Sequence, residues 1–130
     1  MSKRHVLGAG VIWLLAVAAV YAQPAPRPGY PVKPGRVVVA YPPGGPTDIL
    51  GRLVAQKLSE YMGQQFIVDN RPGAAGNIGA EMVVKSPPDG YTLLTVPATH
   101  AVTPSIQAKM PFDTLRDFTY LALIAEAPFI

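Results

Sequence analysis

Two glycine-rich stretches stand out for what they could hold: Tyr41-Pro42-Pro43-Gly44-Gly45-Pro46-Thr47-Asp48 and Asn70-Arg71-Pro72-Gly73-Ala74-Ala75-Gly76-Asn77-Ile78-Gly79. Each follows a short apolar run and leads into helical spacing. The N–H groups at a helix N-terminus are unpaired and carry positive partial charge, so a loop poor in side chains lets a carboxylate or phosphate come close. The chain reads first as a binder of anions. Catalysis has little to work with: there is no cysteine, and His100 is the only histidine beyond the first few residues. Thiol nucleophiles and His/Cys zinc clusters are thereby excluded, and no metal or cofactor is expected. No G-x-S-x-G occurs, and Ser59, Ser86 and Ser105 lack the setting of a hydrolase nucleophile.

The elements that position these loops follow from the pattern around them. Arg36-Val37-Val38-Val39-Ala40, bounded by Gly35 and Pro42, has the β-branched composition of a strand buried on both faces in a parallel sheet. Thr47 is expected to cap the next helix, with Asp48 favourable in its first turn. Ile49, Leu50, Leu53, Val54 and Leu58 recur at helical spacing until Gly63 stops it. Gln65 to Asp69 is the second strand, and Asn77 is expected to cap a second helix through Lys85, ended before Pro87-Pro88. Pro88-Asp89-Gly90 signals a turn, Tyr91 to Val96 a third strand, and Pro97 to Thr103 another loop, with a helical turn near Pro104. Phe118 to Ala125 supplies a fourth apolar run.

Strands alternating with helices imply an α/β fold with a mainly parallel sheet, whose ligands sit beyond the carboxyl ends of the strands. The second loop has the spacing G-x-x-G-x-x-G and follows the second strand, so it does not fit the dinucleotide fingerprint. Its Arg71 is a candidate ligand contact or a partner for a neighbouring acid. The third loop would bring Thr99 and His100 to the same end, although a lone histidine is usually structural. Tyr41 either walls the site or packs on the sheet. Tyr91 reads as core.

The first residues address the chain to export. Lys3 and Arg4 precede the apolar Val6 to Val20, and Val20-Tyr21-Ala22 places small residues at a cleavage position, the pattern of a signal peptide over residues 1–22 cut after Ala22. The run is shorter than the roughly 20 residues needed to span a bilayer. Without Lys3 and Arg4 the 11 basic residues fall to 9 against 8 acidic ones, a net charge of +1. The remaining cations are scattered, which argues against nucleic acid. Absence of cysteine removes the attachment point for a lipid anchor. Gln23 to Pro34, with five prolines, is expected to be an extended linker, and residues 35–130 the folded part.

Taken in order, Tyr30-Pro31, Pro42-Pro43-Gly44-Gly45-Pro46-Thr47-Asp48, Asn70-Arg71-Pro72-Gly73-Ala74-Ala75-Gly76-Asn77-Ile78-Gly79, Pro87-Pro88-Asp89-Gly90-Tyr91-Thr92-Leu93-Leu94, Thr99-His100, Pro111-Phe112-Asp113 and Asp117-Phe118 resemble the Bug-type, or TctC-type, solute receptors of tripartite tricarboxylate transporters. The resemblance implies a type II periplasmic binding protein, whose two α/β lobes close on a small carboxylated solute and hand it to membrane permease subunits. Such a receptor performs no reaction and is a monomer at full length. It also implies ligand-binding roles for Tyr41, Pro43, Gly44, Gly45, Thr47, Asp48, Gly76, Asn77, Thr99 and His100. Asp48 cannot attract a carboxylate, so first-turn stabilisation or orientation of a bridging water is its expected part. The third loop reads Val96-Pro97-Ala98 where family members more often carry small polar residues or glycine.

Family receptors are longer, and the chain is expected to be the N-terminal part of the first lobe, truncated before the second and possessed of weak or no binding by itself. The alternative is a small envelope interaction module without a small-molecule ligand, docking through an exposed sheet edge.

Overall fold

The computed structural model describes residues 29–107 and 109–126. The expected signal peptide, its expected cleavage position and the first residues of the proline-rich stretch lie outside them. The described elements run β1 (Gly35–Val39), α1 (Pro46–Met62), β2 (Phe66–Asn70), a 3-10 turn (Ala74–Gly76), α2 (Asn77–Val84), β3 (Thr92–Thr95), a second 3-10 turn (Ala98–Val102) and α3 (Thr103–Ile106). The three strands form one parallel sheet in the order β2-β1-β3. This is the expected α/β arrangement, with each strand within a residue or two of its expected span.

The central strand is the most apolar and the most buried: Val37, Val38 and Val39 are wholly inaccessible. Burying each valine contributes about 1.5–3 kcal/mol relative to leaving it in water. Val37 lies beside Val68 on one flank and Leu93 on the other. These three, with Ala55, Leu58 and Phe66, make the core under α1. Alternation along the strand sends Val39 toward α1 and Ala40 toward α2. A Cβ at Gly51 would stand 2.7 Å from Val39, and one at Gly79 would stand 3.0 Å from Ala40. Both helices therefore come closer to β1 than a larger residue would allow.

The inward face of α1 differs from expectation. Ile49 and Leu53 are exposed, and the residues turned to the sheet are Asp48, Gly51 and Ala55, with Leu58 behind them. Small side chains one turn apart permit a close helix-to-sheet approach, which moves the bulkier Ile49 and Leu53 to the outside. The cap also differs: Gly45 occupies the N-cap position with Pro46 as the first helical residue, and no side chain caps the helix. Pro46 suits that place because its missing N–H has no intrahelical acceptor there anyway. Gly63 ends the helix as expected, in the left-handed region at φ 71°. Likewise Gly76, not Asn77, is the N-cap of α2, and the helix ends at Val84.

Residues 119–126 are exposed and in no regular element, so the fourth apolar run does not join the sheet. At the amino end, Tyr30 packs edge-on against Tyr91 at 4.9 Å and gives its hydroxyl hydrogen to the Gly90 carbonyl. Lys33 pairs with Asp89 at 3.2 Å and lies over the Tyr91 ring. Tyr91, expected in the core, is thus half-buried beneath the incoming chain.

Candidate functional site

Parallel strands deliver all three of their following loops to one end of the sheet, and side chains tie the first two loops together there. Asp48, 2 % exposed, is the centre of this network. Its Oδ2 accepts from the Gly44 N–H at 2.8 Å and from Arg52 Nε at 2.9 Å, and its Oδ1 accepts from Asn70 Nδ2 at 2.8 Å. Arg52, then the Gly44 N–H and Asn70, hold the carboxyl at about 2, well below the usual range. Asn70 Nδ2 also donates to the Tyr41 carbonyl, and Arg52 donates to Asn70 Oδ1. The Tyr41 hydroxyl donates to the Ala75 carbonyl at 3.2 Å, which closes the first loop onto the second.

The expected site residues separate into two groups. Pro43, Gly44 and Thr99 are exposed, and Tyr41, Gly45 and Thr47 are half-buried, all of them on or beside the loops at the carboxyl end. Nothing stands within 4 Å of where a Gly44 Cβ would be, and a Gly45 Cβ would meet only the Pro42 carbonyl at 3.6 Å. Approach to the start of α1 is open. The Gly44 N–H is committed to Asp48, which leaves Gly45 and the first turn at Thr47 as the donors able to face a ligand.

Asp48, Gly76, Asn77 and His100 are buried. Asp48 organises the loop from within. Gly76 takes φ 94° directly against Tyr41, where a Cβ would stand 3.2 Å from the ring. Asn77 donates through Nδ2 to Gln107 Oε1, linking the start of α2 to the end of α3. His100 stacks on Phe112 at 5.9 Å and meets the edge of Phe118 at 6.5 Å. Burial pushes its imidazole below the ordinary pKa. Neither ring nitrogen has a hydrogen-bond partner among the described residues.

Both described arginines at this end are paired with acids. Arg71 binds Asp69 and Arg52 binds Asp48, both at 2.9 Å. What the loops offer an anion is neutral donors: backbone N–H groups and threonine hydroxyls. Among the described residues no cluster of His, Asp and Glu could hold a metal ion. Two hollows of about 390 and 630 Å³ lie elsewhere, one between Tyr30, Leu58, Met62, Phe66 and Leu93, the other along Arg36, Ile67, Asp69 and Thr92. Neither includes a glycine-loop residue.

Sequence reasoning passed over Asn70 and Arg52. Asn70 stood inside the quoted Asn70-Arg71-Pro72-Gly73 motif, at the carboxyl end of a strand, which is where such sheets place ligand and loop contacts. Arg52 carried no signal beyond its position four residues after Asp48.

Residues 50–130 match the family described as tripartite tricarboxylate transporter family receptor. The chain belongs to this family. Protein BugT of Bordetella pertussis is 36% identical over 122 residues, which are 92% of this chain and 37% of BugT. MatC from Rhodopseudomonas palustris, solved with bound malate, superposes with a TM-score of 0.62 at 35% identity, over 73% of this chain and 33% of MatC. Another R. palustris protein, solved with adipate, gives 0.50 at 48% identity, over 51% of this chain and 22% of that one. This TctC-type chain thus spans a little over a third of the length of its curated relatives, and its sheet is part of a periplasmic-binding-protein lobe.

Proposed function

We propose that the chain supplies the carboxylate-recognising loops of an extracytoplasmic solute receptor that serves a tripartite tricarboxylate transporter. The observation that carries this reading is the unobstructed approach over Gly44 and Gly45 to the start of α1, at the end of a parallel sheet where three loops meet. A carboxylate there meets N–H groups that have no intrahelical acceptor and the positive end of a 17-residue helix. The bound malate and adipate of two relatives support a small carboxylic acid as the solute. Lacking a nucleophile paired with a base, the loops bind and release without chemistry, and permease subunits in the membrane receive the solute. Residues 1–22 are the export signal, cut after Ala22, and 23–34 lead into the lobe. Thr47 and Thr99 add hydroxyl donors.

The test is thermal unfolding with malate and adipate as probes. A ligand that binds only the folded state raises its stability, by about 2.7 kcal/mol at a hundredfold excess over Kd. A dose-dependent rise in Tm with either acid, abolished by Gly45→Val, is expected. The backbone at Gly45, φ −79° and ψ 168°, suits valine, so that variant should fold. A rise that persists in Gly45→Val would move the site away from this loop. No rise with either acid, beside a cooperative melt, would favour an interaction module.

A further inference from the structure

We propose that the segment from Lys109 to Phe118 is a proton-released strap, held over the third loop by His100 only while that imidazole is neutral. The hydrogen bonds of this stretch are all local. Asp113 N–H donates to Asp117 Oδ2, Asp117 N–H to the Asp113 carbonyl, Leu115 and Arg116 N–H to Asp113 Oδ1, and the Tyr120 hydroxyl to the Thr114 carbonyl. Among the described residues none runs from 109–126 to the rest of the chain. What fastens the strap is burial without hydrogen bonds to the rest of the chain: Thr114, 2 % exposed, and the aromatic cluster of Phe112 and Phe118, 5.5 Å apart and perpendicular, closed on His100.

That fastening tolerates a neutral ring and not a charged one. His100 is 3 % exposed, and neither nitrogen has an acceptor within reach among the described residues. Protonation would bury a cation whose two N–H groups have nothing to donate to, a burial only partly offset by the attraction of a cation to the Phe112 ring. Lifting the strap returns the ring to water, where the charged form is stable.

Among the described residues no charged group bonds to this histidine. The 3-10 turn Ala98–Val102, strand β3 and helix α3 carry no other ionisable side chain. Along the strap Lys109, Asp113, Arg116 and Asp117 are exposed. Asp113 pairs with Arg116 and Asp117 receives the Asp113 N–H. On α2, Glu81 pairs with the neighbouring Lys85. The downward shift at His100 has burial as its sole cause. Because the closed and lifted states differ by one proton, the lifted fraction should grow about tenfold per pH unit below the ordinary histidine pKa of about 6.5. The third loop, with Thr99 on it, is then released from its cover in mildly acidic medium.

The experiment is NMR on the whole chain between pH 7.5 and about 5, reading ring-to-ring contacts as nuclear Overhauser effects and core amides by hydrogen exchange corrected for intrinsic rates, for the unmodified protein and for His100→Phe. Contacts of Phe112 and Phe118 with the ring at position 100 should weaken below about pH 6.5, the lifted fraction growing about tenfold per pH unit, while Val37 to Val39 keep their exchange protection. In His100→Phe, where the aromatic packing stays and the titration goes, these contacts should not change with pH. Equal loss in both proteins overturns the proposal, as does loss of the ring contacts together with the protection of the valines. Titration of the His100 ring in the unmodified chain covers the case in which the variant fails to fold. A ring that titrates near its ordinary pKa with strap resonances unmoved also overturns it.

Discussion

Asn70 Nδ2 donates to Asp48 Oδ1 at 2.8 Å, joining the last residue of β2 to the first turn of α1 across 22 residues of sequence. The same nitrogen donates to the Tyr41 carbonyl at 3.2 Å. One amide therefore sets the position of the first glycine loop from both of its sides.

Asn70→Ala should lower stability by about 1–3 kcal/mol, because it strips a buried carboxylate oxygen and a half-buried carbonyl of their donor. In a domain of this size each kcal/mol lowers Tm by about 4–8 °C, which thermal unfolding followed by circular dichroism will read. An unchanged Tm would mean that the loop is held by Gly44 and Arg52 alone.

The Asp48 carboxyl makes an acid-sensitive contribution of defined sign. Its folded pKa, about 2, lies below the 3.8 of a free aspartate, so its stabilisation is complete above about pH 4 and disappears as pH falls toward 2. Tm measured across pH 5 to 2 should decline through that window, and Asp48→Asn should show a lower Tm at pH 7 with a flatter decline. Parallel curves for the two proteins would assign the acid sensitivity to other carboxylates.

Ala74 and Ala75 adopt φ values of 47° and 55°, a region in which a Cβ is crowded by the following carbonyl. Ala75→Gly should raise stability by up to about 1 kcal/mol, reduced by the extra freedom glycine adds to the unfolded chain. Gly76→Ala should do the reverse, since φ 94° and the Tyr41 ring both oppose a side chain. Comparing the two melts separates backbone strain in this loop from general sensitivity to substitution.

The packing of α1 can be tested by reversing size and polarity on its two faces. Leu53→Lys, on the exposed side, should change stability by no more than about 0.5 kcal/mol. Ala55→Leu, on the buried side, should cost about 1–3 kcal/mol through overpacking. A large loss for Leu53→Lys would restore the inward face that apolar spacing alone suggests.

That contrast indicates which parts of the molecule the sequence discloses. Val37 to Val39, flanked by Gly35 and Pro42, could scarcely be anything other than a central strand, and Gly63 marks its helix end in the same unambiguous way. The orientation of α1 was not legible, because hydrophobic periodicity ranks Ile49 and Leu53 above Gly51 and Ala55. The small residues win here through how near they let the helix come to Val39. The glycine loops were legible as loops at the carboxyl end. The commitment of Asn77 to Gln107 and of His100 to the phenylalanines was not, since each depends on a partner distant in sequence, and that of Gly44 to Asp48 depends on a side-chain orientation that Asn70, 22 residues on, helps to fix.

Strand order has a consequence for the time course of folding. The most apolar strand is made first and needs a neighbour on each flank, yet its partners lie 31 and 56 residues further on, as the pairs Arg36 with Ile67 and Arg36 with Thr92 show. The longer closure exceeds the shorter by only ~0.5 kcal/mol of chain entropy. The burden is kinetic: Val37 to Val39 stay half-covered until the last strand arrives, so the rate of forming this sheet is governed by its most distant pairing.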